Sequence, residues 1–558
     1  MRPHGGDGGR RRQLADASAL AMRALFRPLA DQGRFRPAPL REGRRRLLIL
    51  QLDGVSHARL RSALAADLLP SVARRLDAGQ LELSSFRSGL PASTPAFQAG
   101  LFYGVAPSVP GFIWYDRATG RQVRMDRAAD AAQLETRLRG PRPGLLRGGS
   151  SYFGILSGDA AMPRFCLSGM AGAAHLAPEE PPLGVWDVAA STLAHSVTAV
   201  RGAARLVQAT GAGLVDGVRW STMLGRLKHE PRFLLHRTFI TSVLRELAVQ
   251  GILLDVSRGV PVVYADFLAY DETAHRRGPE SPAALGELAG IDRAIGAVLA
   301  AVEAAPELGY DVYLLSDHGN VATRPFEQLA GVSLPEYVAR AERGEPLPRH
   351  PQPIRPNRGF AGGRTLGQAA GEGVATAEAG DLAHVYFLRE PGGLPLEALR
   401  ARHWRVLAAL EASPAVGLVA VRGGTRGFLL QKGTELDLAD PADVARLPHP
   451  EPELLADYVA ELLSLPDTGD LVVLGWRGPH RESVAYAWEF GSHGGVAPEE
   501  LSCFAVHPPG CALDFERVVR PSELNAFFEA HYRAPLDEED ERERRAGGAA
   551  NAAEAEAP

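Results

Sequence analysis

Runs of apolar residues that stop abruptly at an acid recur along this chain. Residues 44–55, "RRRLLILQLDGV", are apolar from Leu47 and close on Asp53-Gly54. Residues 260–275, "VPVVYADFLAYDETAH", form a second run that reaches an aspartate, and residues 312–320, "VYLLSDHGN", a third that ends in Asp317, His318 and Gly319. Two later runs, 470–476 and 502–508, also read as strands. Between them lie helical segments at 68–79, 281–306 and 452–465, the last two with apolar residues spaced i, i+3, i+4. Continuously apolar strands alternating with amphipathic helices predict a parallel sheet covered on both faces. The expected fold is therefore α/β, doubly wound, with a mostly parallel central sheet.

Two intervals interrupt the alternation. Residues 125–250 are rich in Gly, Ala and Arg, and residues 325–450 are rich in Pro and Gly. Insertions of this length between core strands commonly shape a pocket, so both are expected to be caps overhanging the strand ends. The expected organisation is a basic N-terminal extension (1–44), one domain (45–535) carrying the two caps, and a disordered acidic and Ala-rich tail (536–558).

Composition narrows the chemistry. A net charge of −5 leaves no global nucleic-acid footprint, and duplex binding is not expected. Lys228 and Lys432 are the only lysines, and no G-x-x-x-x-G-K-[ST] occurs, which argues against a P-loop. Cys166, Cys503 and Cys511 are too few and too scattered for a disulfide framework or a four-cysteine zinc site. No apolar stretch is long enough to span a bilayer, and the N-terminus lacks a signal-peptide core, so a cytoplasmic protein is expected. Residues 1–46 carry 12 Arg against 4 acidic residues. An amphipathic helix over 13–31 makes peripheral membrane contact a minor alternative to packing on the domain.

The strand ends carry the candidate chemistry: Asp53, then Asp271 with His275, then Asp317 with His318. His493 stands among small residues in "FGSHGG". A lone aspartate after a strand is usually a turn or cap residue, and a lone histidine is usually structural. Mixed carboxylate and imidazole groups at several strand ends suit zinc and similar divalent ions, and Asp271 and His275 stand four apart, one helical turn. "LPASTPAFQAGLFYG" (90–104) places Ser93 and Thr94 just before Pro95 and a helical run. That is an ordinary helix start, and it is also a hydroxyl beside a positive helix terminus, a seat for phosphate.

In this order, Asp53, Ser93/Thr94, Asp271-x-x-x-His275, Asp317-His318 and His493 resemble the alkaline phosphatase superfamily, in its type I phosphodiesterase/nucleotide pyrophosphatase branch. The resemblance covers roughly residues 45–120, 260–325 and 485–510. It implies two divalent metals, zinc in that branch's manner, with Asp53, Thr94, Asp317 and His318 at one and Asp271, His275 and His493 at the other. It implies a hydroxyl nucleophile. A Thr-x-Pro pattern would select Ser93; Gly104, ten residues after Thr94, and Gly111 in "PGFIWYD" select Thr94, with Ser93 in reserve. The branch carries an Asn after the glycine, where this chain has Ile113-Trp114-Tyr115-Asp116, so Trp114 and Tyr115 are the expected substrate-binding donors. No cysteine or serine in a C/S-x-P-x-R context supports a sulfatase, and scarce lysine disfavours a phosphoglycerate mutase. The expected activity is hydrolysis of a small phosphate ester or diester. A phosphomonoesterase on the same site and a non-catalytic protein retaining the fold are the alternatives.

Overall fold

The computed structural model describes residues 45–140, 143–171, 245–348, 373–479 and 481–533. The helix expected over 13–31, the tail from 536 and stretches of both long intervals lie outside them. In chain order the first strands are β1 (Arg46–Leu52), β2 (Glu82–Arg87), the hairpin β3 (Ile113–Asp116) and β4 (Arg121–Arg124), β5 (Ser150–Tyr152), β6 (Met162–Arg164), β7 (Val262–Phe267), β8 (Tyr310–Leu315) and β9 (Val321–Pro325). Then come β10 (Val374–Ala379), β11 (Leu382–Phe387), β12 (Leu418–Val421), β13 (Phe428–Gln431), β14 (Thr434–Asp437), β15 (Leu471–Leu474), β16 (Ser483–Ala485), β17 (Gly491–Ser492) and β18 (Ser502–His507).

A seven-stranded sheet runs β2-β18-β8-β1-β7-β5-β6. β8, β1, β7, β5 and β6 are parallel, and β18 lies antiparallel to β2 and β8. The continuous apolar runs have a direct cause. Leu48, Leu50, Val263, Leu314 and Phe504 face one apolar layer, closed by helices Arg245–Ser257 and Pro282–Ala304. Leu47, Ile49, Val262, Tyr264, Leu315 and Cys503 face the other, against Phe97, Phe102 and Phe528. With both faces buried, alternation disappears from the sequence, and each buried Leu contributes about 1.5–3 kcal/mol relative to exposure. The protein is thus a mixed α/β fold with a large, mostly parallel central sheet.

The two intervals behave differently. Within the first, β5 and β6 extend the central sheet itself. Within the second, β10 to β14 join β15 in a separate antiparallel sheet of order β10-β11-β15-β12-β13-β14. β15 shows why this sheet also reads as apolar: Leu471 and Val473 face one cluster, Val472 and Leu474 another that includes Leu455, Val459 and Leu462 of helix Pro452–Ser464. A small third sheet, β16-β9-β17, joins the segment after His318 to the segment before His493. Among the described residues no helix is long and apolar enough to cross a membrane.

Candidate metal centre

β8, β1 and β7 are neighbours, so their carboxyl ends open on one place. Gln51 pairs with Leu315 across β1 and β8, and Asp53 and Asp317 each follow two residues later. Gly54 turns the chain at φ +71°, and a Cβ there would stand 2.4 Å from Asp271 Oδ1, so only glycine lets the Asp53 turn approach Asp271. Directly after β7, helix Ala269–Arg277 presents Asp271 and His275 on one face, with His275 Nε2 2.8 Å from Asp271 Oδ2. The Ser492–Val321 pairing of β17 with β9 delivers His493, whose ring stacks on His318 at 3.7 Å between centroids. Thr94 opens helix Thr94–Tyr103, and Gly104 closes it in the left-handed conformation.

The seven expected positions therefore converge. Thr94 Oγ1 lies 3.3 Å from His318 Nε2, Asp317 Oδ2 lies 3.3 Å from it, and Asp53 Oδ1 3.5 Å. His493 Nε2 lies 3.8 Å from Asp271 Oδ2. Asp53, Asp317 and His318 form one group of closely approaching donor atoms, and Asp271, His318 and His493 another. His318 stands in both sets, whereas His275 reaches the cluster through Asp271. Ser93 is buried beside Thr94, but its hydroxyl has no hydrogen-bond partner.

Electrostatics define what these groups lack. Burial, reinforced by Asp317 and Asp271, pushes the Asp53 carboxyl well up. Burial raises Asp317 to about 6, although Thr94 and the Gly54 N–H donate to it. Burial also raises Asp271, but His275 and His493 outweigh it and hold that carboxyl below its usual range. Burial lowers both His318 and His493 to about 4, so both rings are neutral near pH 7. Their Nδ1 atoms lie 3.1 Å from the Gly319 carbonyl and 2.8 Å from the Ala92 carbonyl. A carbonyl only accepts, so Nδ1 carries the proton and Nε2 presents a lone pair.

His318 Nε2 therefore aims a lone pair at two carboxylates and a hydroxyl. Asp53 Oδ1 and Asp317 Oδ2 are buried without hydrogen-bond partners. Electron-rich atoms facing one another in a dry site repel unless a cation lies among them. The donor set, carboxylate and imidazole without thiolate, fits a divalent metal of the zinc type.

Three further polar residues shape the centre, and the sequence pattern had not drawn attention to them. Asn320, two residues after His318, donates from Nδ2 to Asp271 Oδ1 at 2.9 Å, leaving Oδ2 for the imidazoles. Glu489, four residues before His493, lies 3.3 Å from His275 Nδ1. Asp266 at the end of β7 is buried and accepts from Gln98 at 3.4 Å. Each sits close in sequence to an expected ligand, but its partner is fixed only by folding. The expected substrate donors lie on strand β3. Trp114 is 1% exposed, in the apolar cluster with Phe97, Phe102 and Val123. Tyr115 is half-buried, with its ring edge-on to Tyr386 of β11.

The sequence model of the type I phosphodiesterase / nucleotide pyrophosphatase family matches residues 47–343, more than half of the chain. The chain belongs to that family. It is accordingly a hydrolase acting on phosphoester bonds, from a metal-dependent family. Among solved structures it is similar to phosphonoacetate hydrolase from Sinorhizobium meliloti 1021 in complex with phosphonoformate. That match has 17% identity and a TM-score of 0.46, over 88% of this chain and 96% of that one. The same enzyme in complex with phosphonoacetate matches at 16% identity and a TM-score of 0.44, with the same coverage. No curated protein matches the chain.

Proposed function

We propose that this family member is a two-metal phosphodiesterase or nucleotide pyrophosphatase with Thr94 as nucleophile. Asp53, Thr94, Asp317 and His318 would hold one divalent ion, and Asp271, His275 and His493 the other, zinc being the ion the donor set suits. Bound there, the pair of ions supplies Lewis-acid stabilisation of charge on the attacking and leaving oxygens. The observation that carries this reading is the convergence of Asp53 Oδ1, Asp317 Oδ2 and Thr94 Oγ1 on His318 Nε2 at 3.3–3.5 Å.

The protein's own groups then have definite work. Thr94 Oγ1 attacks phosphorus, forming one P–O bond as the bond to the leaving alcohol or phosphate breaks; water later cleaves the phosphothreonine. Asp317 accepts the hydrogen bond of the Thr94 hydroxyl and so orients it before attack. The start of helix Thr94–Tyr103 places positive dipole beside the phosphoryl oxygens. Burial of Asp53, Asp271, Asp317 and His318 keeps water from dispersing these fields.

Thr94→Ala is expected to lower kcat by a factor on the order of 10³ or more with metal content retained, because no phospho-enzyme can form. Thr94→Ser should keep measurable activity. Ser93→Ala should stay within about threefold, since the hydroxyl it removes has no partner to lose. Kinetics on bis(p-nitrophenyl) phosphate and p-nitrophenyl phosphate, each with and without zinc, test the assignment. Loss of turnover in Ser93→Ala and not in Thr94→Ala would move the nucleophile by one residue. Preference for the monoester would make the enzyme a phosphomonoesterase.

A further inference from the structure

The three imidazoles of the centre are backed differently. His318 and His493 each rest Nδ1 on a neutral backbone carbonyl. His275 Nδ1 lies 3.0 Å from the Gly491 carbonyl and also 3.3 Å from Glu489 Oε2. Both neighbours are acceptors, so Nδ1 carries the proton and donates, and Nε2 is turned toward Asp271 Oδ2 at 2.8 Å. Glu489 is itself oriented, because Ser492 Oγ donates to the same Oε2 at 2.8 Å.

The ion sets also differ in charge. Asp53 and Asp317 give one set two carboxylates, whereas Asp271 is the sole carboxylate of the other. A divalent ion there would keep an uncompensated charge in a buried place. Glu489 lies one imidazole away from it, joined through the ring.

We infer that Glu489 is the positioning residue of the Asp271–His275–His493 site: it fixes the tautomer and orientation of His275 and supplies that site's second negative charge without touching the ion. A carboxylate behind a ligating histidine raises the ring's basicity, and removing such a group typically weakens metal binding about 10–100-fold. Ser492 holds the carboxylate in line. The inference rests on the two-ion reading above.

The test titrates Zn²⁺, and separately Co²⁺, into the chelator-stripped full chain against a chromophoric competitor. Wild type should show two binding steps. Glu489→Gln, nearly isosteric, should weaken one step by about 10–100-fold and leave the other within about threefold, and it should shift the Co²⁺ absorption of the weakened site alone. Ser492→Ala should weaken the same step to a smaller degree. Metal-free thermal unfolding of each variant checks that the fold persists. Two steps in wild type with both unchanged in Glu489→Gln would overturn the role of Glu489 while leaving the two-ion reading intact. Equal weakening of both steps, or a collapse of metal-free stability, would make Glu489 merely structural. Absence of binding by wild type would overturn the two-ion reading and this inference with it.

Discussion

Asp53, Asp271 and Asp317 at the central strand ends, and Asp381 beside Glu500 where the second sheet meets the first, are all under 10% exposed. Both places crowd carboxyl groups away from water, and both raise the same electrostatic problem. In the first, the neutral rings of His318 and His493 stand among the acids with Nε2 lone pairs directed inward. In the second, Asp381 stands beside Glu500, whose Oε2 accepts the Gly495 N–H at 2.7 Å, while both Asp381 oxygens and Glu500 Oε1 are buried without a partner among the groups described. Burial pushes Asp381 up to about 6 and, with Asp381 alongside, pushes Glu500 well up. Among the described residues this pair belongs to no group of three metal-ligating side chains. Two carboxyls alone can share a proton, and a proton satisfies both. Imidazole nitrogens and carboxyl oxygens converging in threes, as they do only at the first place among the described residues, are the donor set a divalent ion needs. The neutral nitrogen, more than the cluster of acids, marks a metal site.

The sharpest way to break this contrast is to remove one acid from each place. Asp317→Asn should lower kcat/KM by a factor on the order of 10³ or more, since a metal supplies several kcal/mol of transition-state stabilisation. Elemental analysis should find metal lost with it. Asp381→Asn should change kcat/KM by no more than about threefold, because an amide still donates to Glu500. Equal losses in the two variants would erase the distinction between cation site and proton-sharing pair.

A smaller effect separates proposed ligand from support within the candidate metal centre. Asn320→Leu removes the amide that occupies Asp271 Oδ1 at 2.9 Å and frees the carboxylate to rotate. Zinc affinity should fall about 10–100-fold, with activity recovered at saturating zinc. Activity that does not return at any zinc concentration would mean Asn320 contacts the reacting groups.

The two regions were not equally legible in the sequence. β1, β7 and β8 announced themselves because both faces are buried, leaving long apolar runs, and because each run ends at an acid on the open side of the sheet. The spacing of Asp271 and His275 reads directly as one turn of helix. Register and topology stayed hidden. β17 pairs antiparallel with β9, and the Phe490 N–H reaches the His275 carbonyl at 2.9 Å, which together bring Glu489 and His493 beside His275. Of the second sheet only β15 stands out in the sequence; β10 to β14 lie in a Pro/Gly-rich interval, where strands as short as β12, β13 and β14 carry little periodicity of their own. Asp381 and Glu500 are remote in sequence, and neither sits in a recognisable motif. The surroundings of Trp114 were hidden as well: β3 pairs with β4 at Val123, and the ring falls into the apolar layer with that valine while its indole N–H has no partner.

The proton-sharing pair makes a prediction with a definite sign. Asp381 has an ordinary value near 3.8 and is pushed up to about 6 in the fold, chiefly by burial. A carboxyl raised by folding contributes stability that is fully present below its unfolded value and is lost as pH rises through its folded value. Wild type should therefore lose this contribution between about pH 4 and pH 7, whereas Asp381→Asn has no ionisable group to lose at that position. Near pH 4 the variant should match or fall slightly below wild type; by pH 8 its relative stability should have risen by about 1–2 kcal/mol, the coupling to Glu500 absorbing part of the shift. Thermal unfolding of metal-free protein at pH 4.5 to 8 would measure the difference between the two Tm values, so that titration of the metal centre, present in both, cancels. A difference that stays flat with pH would show that Asp381 ionises at ordinary pH and shares no proton with Glu500. A difference that falls with rising pH would mean the ionised carboxylate is favourable, as a bound cation would make it, and the contrast between the two acidic clusters would be lost.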